Sequence, residues 1–351
     1  MEQLHQQFTW LIASGQFNPG DRLPSIRRMA QQLSINMHTV RSAYLRLEED
    51  GLVRTRPGAS SQVLELSPVR LMELASRKRT YTIGVILPEL FNPFYHAFLQ
   101  GVEEVINQEQ LMLFVCNAHE DPDEYMRYIA QLLARSVDGI IVASFDTPAS
   151  LEQSSSFSIP VVYADWPGCT GPVVNFDLEE AGYQAVRHLL AHGHRRIGQV
   201  SFTGRSANVL AIEAGYQRAL KEKGIALDES LIVRLPGFDM FSGESGAQQL
   251  LALSEPPTAI FTIADMLALG VMKALKKAKW RIPEQMALTS LDDIPLADLV
   301  EPGLTTVSLP ARKLGVEAMR MLQNLIEGKE LATKQITLPT KLVIRQSCGC
   351  P

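Results

Sequence analysis

Apolar residues near the start of the chain recur with the period of an α-helix. Between residues 26 and 33 they stand at i, i+3, i+4 and i+7, and Ser25 is placed to cap the first turn of this predicted helix. After a polar break at residues 34–36, a second helix is predicted from about Met37 to Asp50, ended by Gly51. Its apolar stripe is Val40, Ala43, Tyr44 and Leu47. An earlier stripe predicts a helix within residues 1–16 and consists of Leu4, Phe8, Leu11 and Ile12.

Two short strands are predicted after the second helix. Residues 52–55 and 62–66 form the pair, and Pro57-Gly58 between them is typical of a tight turn. Helix, turn, helix and β-ribbon together make a winged helix-turn-helix. In that motif the first helix supports the second, and the second presents its N-terminal side chains to the major groove of DNA.

The segments LPSIRRMA and TVRSAYLRLEEDGLVRTRPG strongly resemble the DNA-binding domain of GntR-family regulators, and IASGQFNPGDR resembles that family's first helix and turn. The resemblance covers residues 1–66. It implies that Arg27, Arg41 and the wing around Gly58 contact DNA. It also implies a base-reading face made of Asn36, Met37 and His38, with Thr39 among the DNA-binding residues, although many relatives carry a basic residue where this chain has Met37. An isolated surface arginine is more often simply solvated, so the assignment depends on the motif.

From residue 81 onward, short apolar strands alternate with longer helices. The predicted strands are Ile83–Leu87, Leu111–Cys116, Gly139–Ala143, Val161–Ala164, Ile197–Phe202, Leu231–Leu235, Ala259–Thr262 and Met286–Leu291. The predicted helices are Pro93–Glu109, Asp123–Ser136, Leu178–His192, Val209–Lys223, Ser242–Leu253 and Met266–Lys277. This alternation predicts parallel sheets with right-handed crossovers. Two series of about four or five strands predict two lobes, with a ligand site beyond the carboxyl ends of the strands.

Residues 81–347 resemble the effector domain of LacI/GalR-family repressors. The segments that carry this resemblance include IGVILPELFNPFYHAFLQGVEE, HLLAHGHRRIGQV, PPTAIFTIAD and DDIPLADLVEPGLTTV. The resemblance implies an α/β domain similar to periplasmic sugar-binding proteins, with two lobes crossed three times by the chain. It implies a linker at 67–80, a first lobe at about 81–172 and 306–333, and a second at about 173–305 and 334–351. The whole chain is similar to arabinose-responsive repressors of bacteria.

The same resemblance implies a set of effector-binding residues: Phe94, Tyr95, Asp165, Phe238 and Asp292. Carboxylates accept hydrogen bonds from pairs of hydroxyls, and aromatic faces cover the C–H surface of a sugar. From the residues alone, the aspartates could equally cap following segments and the aromatic residues could be core. Ile212 stands where many relatives have an arginine, and Ala264 where they often have an asparagine. With no cation in this set, we expect a neutral, hydroxyl-rich effector unless Arg205, in a loop ahead of a helix, supplies the charge.

Composition bounds the remaining choices. At 351 residues the chain should hold two or three domains, and its 46% hydrophobic content is typical of soluble globular proteins. A net charge of −5 argues against nucleic-acid binding only for the chain as a whole, because a small DNA-binding module is governed by its local field. No signal-peptide pattern and no apolar run near the ~20 residues of a membrane span is present, so a cytoplasmic location is expected. The four cysteines agree with that expectation, because Cys116 and Cys169 lie far apart and the pair Cys348-Gly349-Cys350 has no zinc partner set.

Motifs for catalysis are missing. The sequence has no GxSxG, GxGxxG or Walker lysine motif, so neither catalytic residues nor a cofactor are expected. His188 and His192 have helical i, i+4 spacing but no evident third ligand, so a metal is not expected either. The sequence therefore predicts a ligand-responsive repressor of carbohydrate-utilisation genes that binds a pseudo-palindromic operator as a homodimer. The alternative is a cytoplasmic sugar-binding protein or a sugar-active enzyme.

Overall fold

The computed structural model describes residues 2–13, 17–33, 35–55, 60–64, 80–109, 111–119, 121–143, 159–204 and 206–349. The predicted linker up to residue 79, the turn residue Gly58 and the loop residue Arg205 lie outside this described part. Two compact units divide the chain. One holds residues 1–82 with 129–138, and the other holds residues 83–128 with 139–351.

The N-terminal region has the predicted winged helix-turn-helix order. Its elements are α1 (Glu2–Ala13), α2 (Ile26–Leu33), α3 (Met37–Glu49), β1 (Val53–Arg54) and β2 (Gln62–Val63), the two strands being antiparallel. The predicted apolar stripes meet in one core that includes Phe8, Ala30, Val40 and Leu47. The helical periodicity of the sequence therefore reported a real buried face on each helix.

Side-chain hydrogen bonds fix the ends of these helices. Ser25 caps α2 as predicted, since its Oγ accepts from the Arg28 backbone N–H at 3.3 Å. Tyr44 joins α3 to the chain ahead of α2: its hydroxyl donates to the Pro24 carbonyl at 2.8 Å, and its ring meets that of Phe8 edge-on at 5.3 Å. Burial raises the pKa of Tyr44 to about 12. These contacts hold α3 in place while leaving its N-terminal end exposed.

Two six-stranded sheets form the larger part of the chain. The first has the order β13-β7-β6-β5-β3-β4 and the second β14-β12-β11-β10-β8-β9. Strands of the first sheet are β3 (Thr82–Leu87), β4 (Met112–Asn117), β5 (Gly139–Ala143), β6 (Val161–Ala164), β7 (Val173–Phe176) and β13 (Gln335–Leu338). Strands of the second are β8 (Ile197–Phe202), β9 (Ile232–Leu235), β10 (Ala259–Thr262), β11 (Ala287–Asp292), β12 (Thr305–Ser308) and β14 (Lys341–Val343). The pair β12–β14 is antiparallel, and β8 to β12 are otherwise parallel to their neighbours.

Helices accompany both sheets. They are α4 (Pro93–Glu109), α5 (Pro122–Ala134), α6 (Leu178–Ala191), α7 (Ala207–Glu222), α8 (Met240–Leu251), α9 (Asp265–Lys277), α10 (Leu296–Leu299) and α11 (Ala311–Ile326). Helices α6 and α7 touch backbone to backbone at Gly215, where an added Cβ would lie 2.1 Å from the Glu179 carbonyl oxygen. Across the described residues, none of the helices combines the length and the apolar character needed to cross a membrane.

The chain passes between the two sheets three times, after β7, after β12 and after β13. Each passage lies a few residues beyond the expected boundaries at 172, 305 and 333. The expectation of four or five strands per lobe was too low, because β7, β12, β13 and β14 were not predicted. These short strands contain polar side chains, so they lack the continuous apolar run by which β5 and β6 were predicted.

Candidate functional site

A cavity of about 300 Å³ lies where the carboxyl ends of the two sheets face each other. The first lobe contributes Glu89, Phe91, Asn92, Phe94, Tyr95, His119 and Asp165, and the second contributes Ile212, Gly237, Phe238, Asp239, Ile263, Ala264, Met266 and Asp292. Leu178 and Leu309, each just after a crossing, complete the wall. The five residues expected to meet an effector are therefore brought together around one space of small-molecule size.

Strand ends position the two central carboxylates. Asp165 directly follows β6, and Asp292 is the last residue of β11. Both have positive φ angles, +55° for Asp165 and +112° for Asp292, a region that side-chain-bearing residues seldom adopt. In open parallel sheets the residues beyond the carboxyl ends form the ligand site, and strained backbone concentrates at such sites. Both carboxylates therefore lie at the edge where sheets of this kind bind ligands.

Asp165 is a buried carboxyl group with an unused acceptor. Only 5% of the residue is exposed, and its Oδ1 atom has no hydrogen-bond partner among the described residues. Asn208 donates to the Asp165 backbone carbonyl at 3.1 Å. Burial raises the pKa of Asp165 to about 7, and a hydrogen bond from Asn208 offsets part of that effect. The group is therefore poised to accept from a donor placed in the cavity.

Asp292 belongs to a buried pair of carboxyl groups. The backbone N–H of Asp265, at the start of α9, donates to Asp292 Oδ2 at 3.3 Å. Asp265 is fully buried, and it accepts from the Thr306 hydroxyl at 2.8 Å and from the Ile294 N–H at 2.9 Å. Burial raises the pKa of Asp292 well above its usual value, and repulsion from Asp265 and Asp165 raises it further. Burial likewise raises the pKa of Asp265 to about 7.

The adjacent aspartates at the end of β11 have different partners. Asp293 forms an ion pair with Arg345 at 2.8 Å, and the same guanidinium reaches Asp298 at 3.1 Å. Asp292 faces the cavity instead. The Arg345 charge is engaged by its own two carboxylates.

Aromatic side chains form much of the wall. Phe94 and Tyr95 are 6% and 5% exposed and meet edge-to-face with their centroids 5.2 Å apart. Phe238 stacks on Phe202 at 4.5 Å. Phe91, by contrast, is 85% exposed. The aromatic residues thus lie partly in the core and partly on the cavity wall.

Several lining residues were not anticipated from the sequence, notably Glu89, Phe91, His119 and Asp239. Each follows closely on the end of a strand, at β3, β4 or β9, which is the signal that could have found them. Glu89 and Asp239 also have local structural contacts: Glu89 Oε1 accepts from the Phe91 N–H at 2.9 Å, and Asp239 caps α8 through the Ser242 N–H at 2.7 Å. The missed residues make the cavity more acidic than the sequence suggested.

The N-terminal end of α3 is a second candidate site. Arg27, His38 and Arg41 are exposed, and Met37 is 55% exposed. A helix-turn-helix needs exposed basic side chains beside the first turn of its recognition helix, here α3, to contact phosphates and base edges.

Two of the expected DNA-binding residues have structural constraints. The Oδ1 atom of Asn36 accepts from the His38 N–H at 2.8 Å and caps α3, so this oxygen already has a structural hydrogen bond. Thr39 is half-buried, one position before the fully buried Val40. Gly58 in the wing lies outside the described residues.

Comparisons with known proteins find family matches for both the N-terminal and the C-terminal part of the chain. Residues 1–63 match the gntR family of bacterial regulatory proteins, and residues 186–348 match the periplasmic binding protein-like domain. The regulator DegA of Bacillus subtilis is 33% identical over 77% of this chain and 81% of its own length. Catabolite control protein A of Priestia megaterium is 30% identical over 92% of this chain and 98% of its own length. A LacI family regulator of Enterococcus faecium, solved with bound ribose, superposes with a TM-score of 0.69 at 28% identity, covering 76% of this chain and 98% of that one.

Proposed function

This chain belongs to the LacI-like transcriptional regulators and carries a GntR-type DNA-binding domain, and on that basis we propose that it represses carbohydrate-utilisation genes under the control of a sugar-like effector. Like its relatives, it is a transcriptional regulator and not an enzyme. The observation that carries the proposal is the presence in one chain of an exposed recognition helix and a cavity of about 300 Å³ with carboxylates from both lobes. The proposal divides into three parts: DNA binding, effector binding and dimerisation.

The DNA-binding part assigns operator contacts to the exposed residues of α2 and α3. Arg41 lies one turn into α3 and Arg27 near the start of α2, where guanidinium groups can meet phosphates or guanine edges. Arg41→Ala should weaken operator binding and lower the salt dependence of the binding constant. Electrophoretic mobility shifts with DNA upstream of the gene, at several salt concentrations, measure both quantities. Arg320→Ala, which removes an exposed arginine of α11, is the matched control, and equal affinities for the two variants would contradict the assignment.

The effector part assigns a hydroxyl-rich small molecule to the cavity. Carboxylates of Asp165 and Asp292 accept from hydroxyls, while Phe94 and Phe238 cover the apolar face of a sugar ring. Ribose is bound in the Enterococcus faecium relative, which supports a ligand of that class here. A thermal-shift screen over monosaccharides is the direct test, because a ligand present at 100 times its dissociation constant stabilises the folded protein by about 2.7 kcal/mol.

The dimerisation part assigns the subunit interface to the effector domain. Strand β4 is an edge strand of the first sheet, and it exposes Met112, Phe114 and Val115 by 65%, 40% and 39%. Unpaired backbone groups together with exposed apolar side chains favour association with another chain. Phe114→Glu should therefore shift the full-length protein from dimer to monomer in sedimentation velocity at micromolar concentration. Phe241→Glu, at a 76% exposed site on α8, is the control. If the Phe114→Glu variant remained a dimer, the interface would not include β4.

Control by the effector follows from these parts. The two lobes are joined by three crossings, and a ligand that contacts both lobes favours the closed arrangement. In a symmetric dimer, closure in both subunits changes how the paired DNA-binding domains are held relative to an operator of fixed half-site spacing. Coupling of this kind amounts to about 1–3 kcal/mol. Operator affinity measured with and without the stabilising sugar gives the coupling and its sign.

A further inference from the structure

The charge of the cavity carries an inference about the effector, and this inference rests on the proposed function of the cavity as the effector site. Four carboxylates line the space: Glu89, Asp165, Asp239 and Asp292. The described lining residues include neither lysine nor arginine, and His119 is their one histidine. A neutral sugar leaves this excess of negative charge in place, whereas a positively charged group offsets it.

Asp165 gives the strongest reason to expect a donor with charge. Its Oδ1 atom is buried without a hydrogen-bond partner in the described structure. Leaving a carboxylate oxygen desolvated and unpaired is costly, and the cost is removed by a hydrogen-bonded partner, most effectively by a cationic one. Asp292 lies near enough for its pKa to be raised by the charge of Asp165. A single cationic group between the two would satisfy both.

Two arginines of the second lobe are engaged in ion pairs of their own. Arg345 is held by Asp293 and Asp298, and Arg234 makes a two-point contact with Glu213 at 2.9 and 3.0 Å. Position 212, on the cavity wall, is an isoleucine with 1% exposure. The described residues therefore supply no positive charge to the acidic face of the cavity.

The aromatic wall suits the same ligand chemistry. Phe91, Phe94, Tyr95 and Phe238 surround the space together with the carboxylates. The faces of aromatic rings attract cations, and carboxylates combined with aromatic rings are the usual way in which proteins hold ammonium groups. Hydroxyl-rich parts of the ligand would still be served by the polar residues Asn92 and Asp239.

We propose that the effector is an amino sugar, whose protonated amine lies between Asp165 and Asp292 while its hydroxyls and ring meet the rest of the wall. Burial raises the pKa of both aspartates in the empty cavity, and the charges of Asp265 and Asp165 raise the pKa of Asp292 further. A bound ammonium lowers both, so the two carboxyl groups ionise as the ligand binds. The expectation of a neutral effector was made from Asp165, Asp292, the aromatic residues and the isoleucine at position 212, and it did not include Glu89 and Asp239.

Isothermal titration calorimetry of the full-length protein tests the proposal. At pH 7, glucose, galactose and mannose are each compared with the 2-amino sugar and the N-acetylated amino sugar of the same configuration. One amino sugar should bind about tenfold or more tightly than both of its uncharged counterparts, since charge-assisted hydrogen bonds are about twice as strong as neutral ones. Asp165→Asn should abolish that preference. Glu255→Gln, which removes an exposed negative charge away from the cavity, should keep it.

Other outcomes overturn the proposal in distinguishable ways. If an uncharged sugar binds as tightly as its amine, the amino-sugar inference fails and the proposed control by a sugar stands. If no member of the panel binds, the amino-sugar inference fails, and failure of operator binding by the unmodified protein would show separately that the proposed function is wrong. A preference that survives in Asp165→Asn also overturns the proposal, because the amine then lies elsewhere. Asp292→Asn replaces Asp165→Asn if the latter does not fold.

Discussion

Replacing Asp165 by asparagine is expected to change how the stability of the empty protein depends on pH. Burial raises the pKa of Asp165 from 3.8 to about 7, so the folded chain holds this proton more tightly than the unfolded chain does. Below about pH 4 the group is protonated in both states and has little effect. As the pH rises, the unfolded state ionises first, and the folded state loses stability until its own pKa is passed.

The size of the effect follows from the two pKa values. Between about pH 5 and pH 8, the free energy of unfolding of the unmodified protein should fall by about 2–3 kcal/mol through this group alone. Asparagine has nearly the same volume and cannot ionise, so Asp165→Asn removes this part of the pH dependence. Any cost of burying the amide is the same at both pH values and cancels in the comparison. Removing the Asp165 charge also lowers the pKa of Asp292, which acts in the same direction.

Urea unfolding at pH 5 and pH 8 measures the effect. Trp10 and Trp280 are replaced by phenylalanine in all proteins compared, so that the fluorescence of Trp166, which is 3% exposed and adjacent in sequence, reports on the relevant lobe. The free energy of unfolding of Asp165→Asn, minus that of the unmodified protein, should be about 2–3 kcal/mol greater at pH 8 than at pH 5. Glu255→Gln, an exposed charge removal, should show little such change. A difference that is equal at both pH values would refute the reasoning, because Asp165 would then not be buried with a raised pKa.

Three further substitutions test the packing and the DNA-binding surface. Gly215→Ala places a Cβ 2.1 Å from the Glu179 carbonyl and should lower the stability of the effector domain by about 1–3 kcal/mol in urea unfolding, without changing operator contacts. Tyr44→Phe removes the hydrogen bond to the Pro24 carbonyl and should cost about 1 kcal/mol in the unfolding of the N-terminal unit; an unchanged midpoint would show that this bond adds nothing. His38→Ala should weaken binding to the native operator by about 1–3 kcal/mol if His38 contacts a base. In a panel of single-base operator variants, the substitution should then remove discrimination at that one base pair.

Much of the fold could be predicted because long buried strands and amphipathic helices leave clear periodic patterns. Strand β5 is buried at all five positions and reads as an uninterrupted apolar run, as expected for a parallel sheet covered on both faces. The strands that were missed differ in kind. Residues Thr305–Ser308 carry three polar side chains in four positions. Both threonines are fully buried, and their hydroxyls donate to Cys348 Sγ and to Asp265 Oδ1. Sequence periodicity cannot reveal partners that come from 40 residues away.

The candidate site was predictable in part for a similar reason. Asp165 and Asp292 end apolar strands, and the resemblance to a known family assigned them a role. Glu89 and Asp239 lie in turns, where the direction of a side chain depends on local backbone angles that no pattern of hydrophobic residues encodes. Asp265 shows the same limit, since its burial beside Asp292 results from the meeting of α9 with β11 and β12. The chemistry of the site therefore emerged only once strands distant in sequence had been brought together.

The carboxylates that weaken the empty protein also explain why closure should require a ligand. Asp165 stands on one lobe and Asp292 on the other. Burial raises the pKa of both, and the charge of Asp165 raises the cost of ionising Asp292 further. Closing the lobes without a ligand would bring the two groups into a still less polar space, which further disfavours their charged forms. A ligand whose donors meet both groups reverses this balance, so its binding energy is greater in the closed state than in the open one. A ligand can shift a conformational equilibrium only by such a difference in affinity, and facing carboxylates without a cation provide it directly.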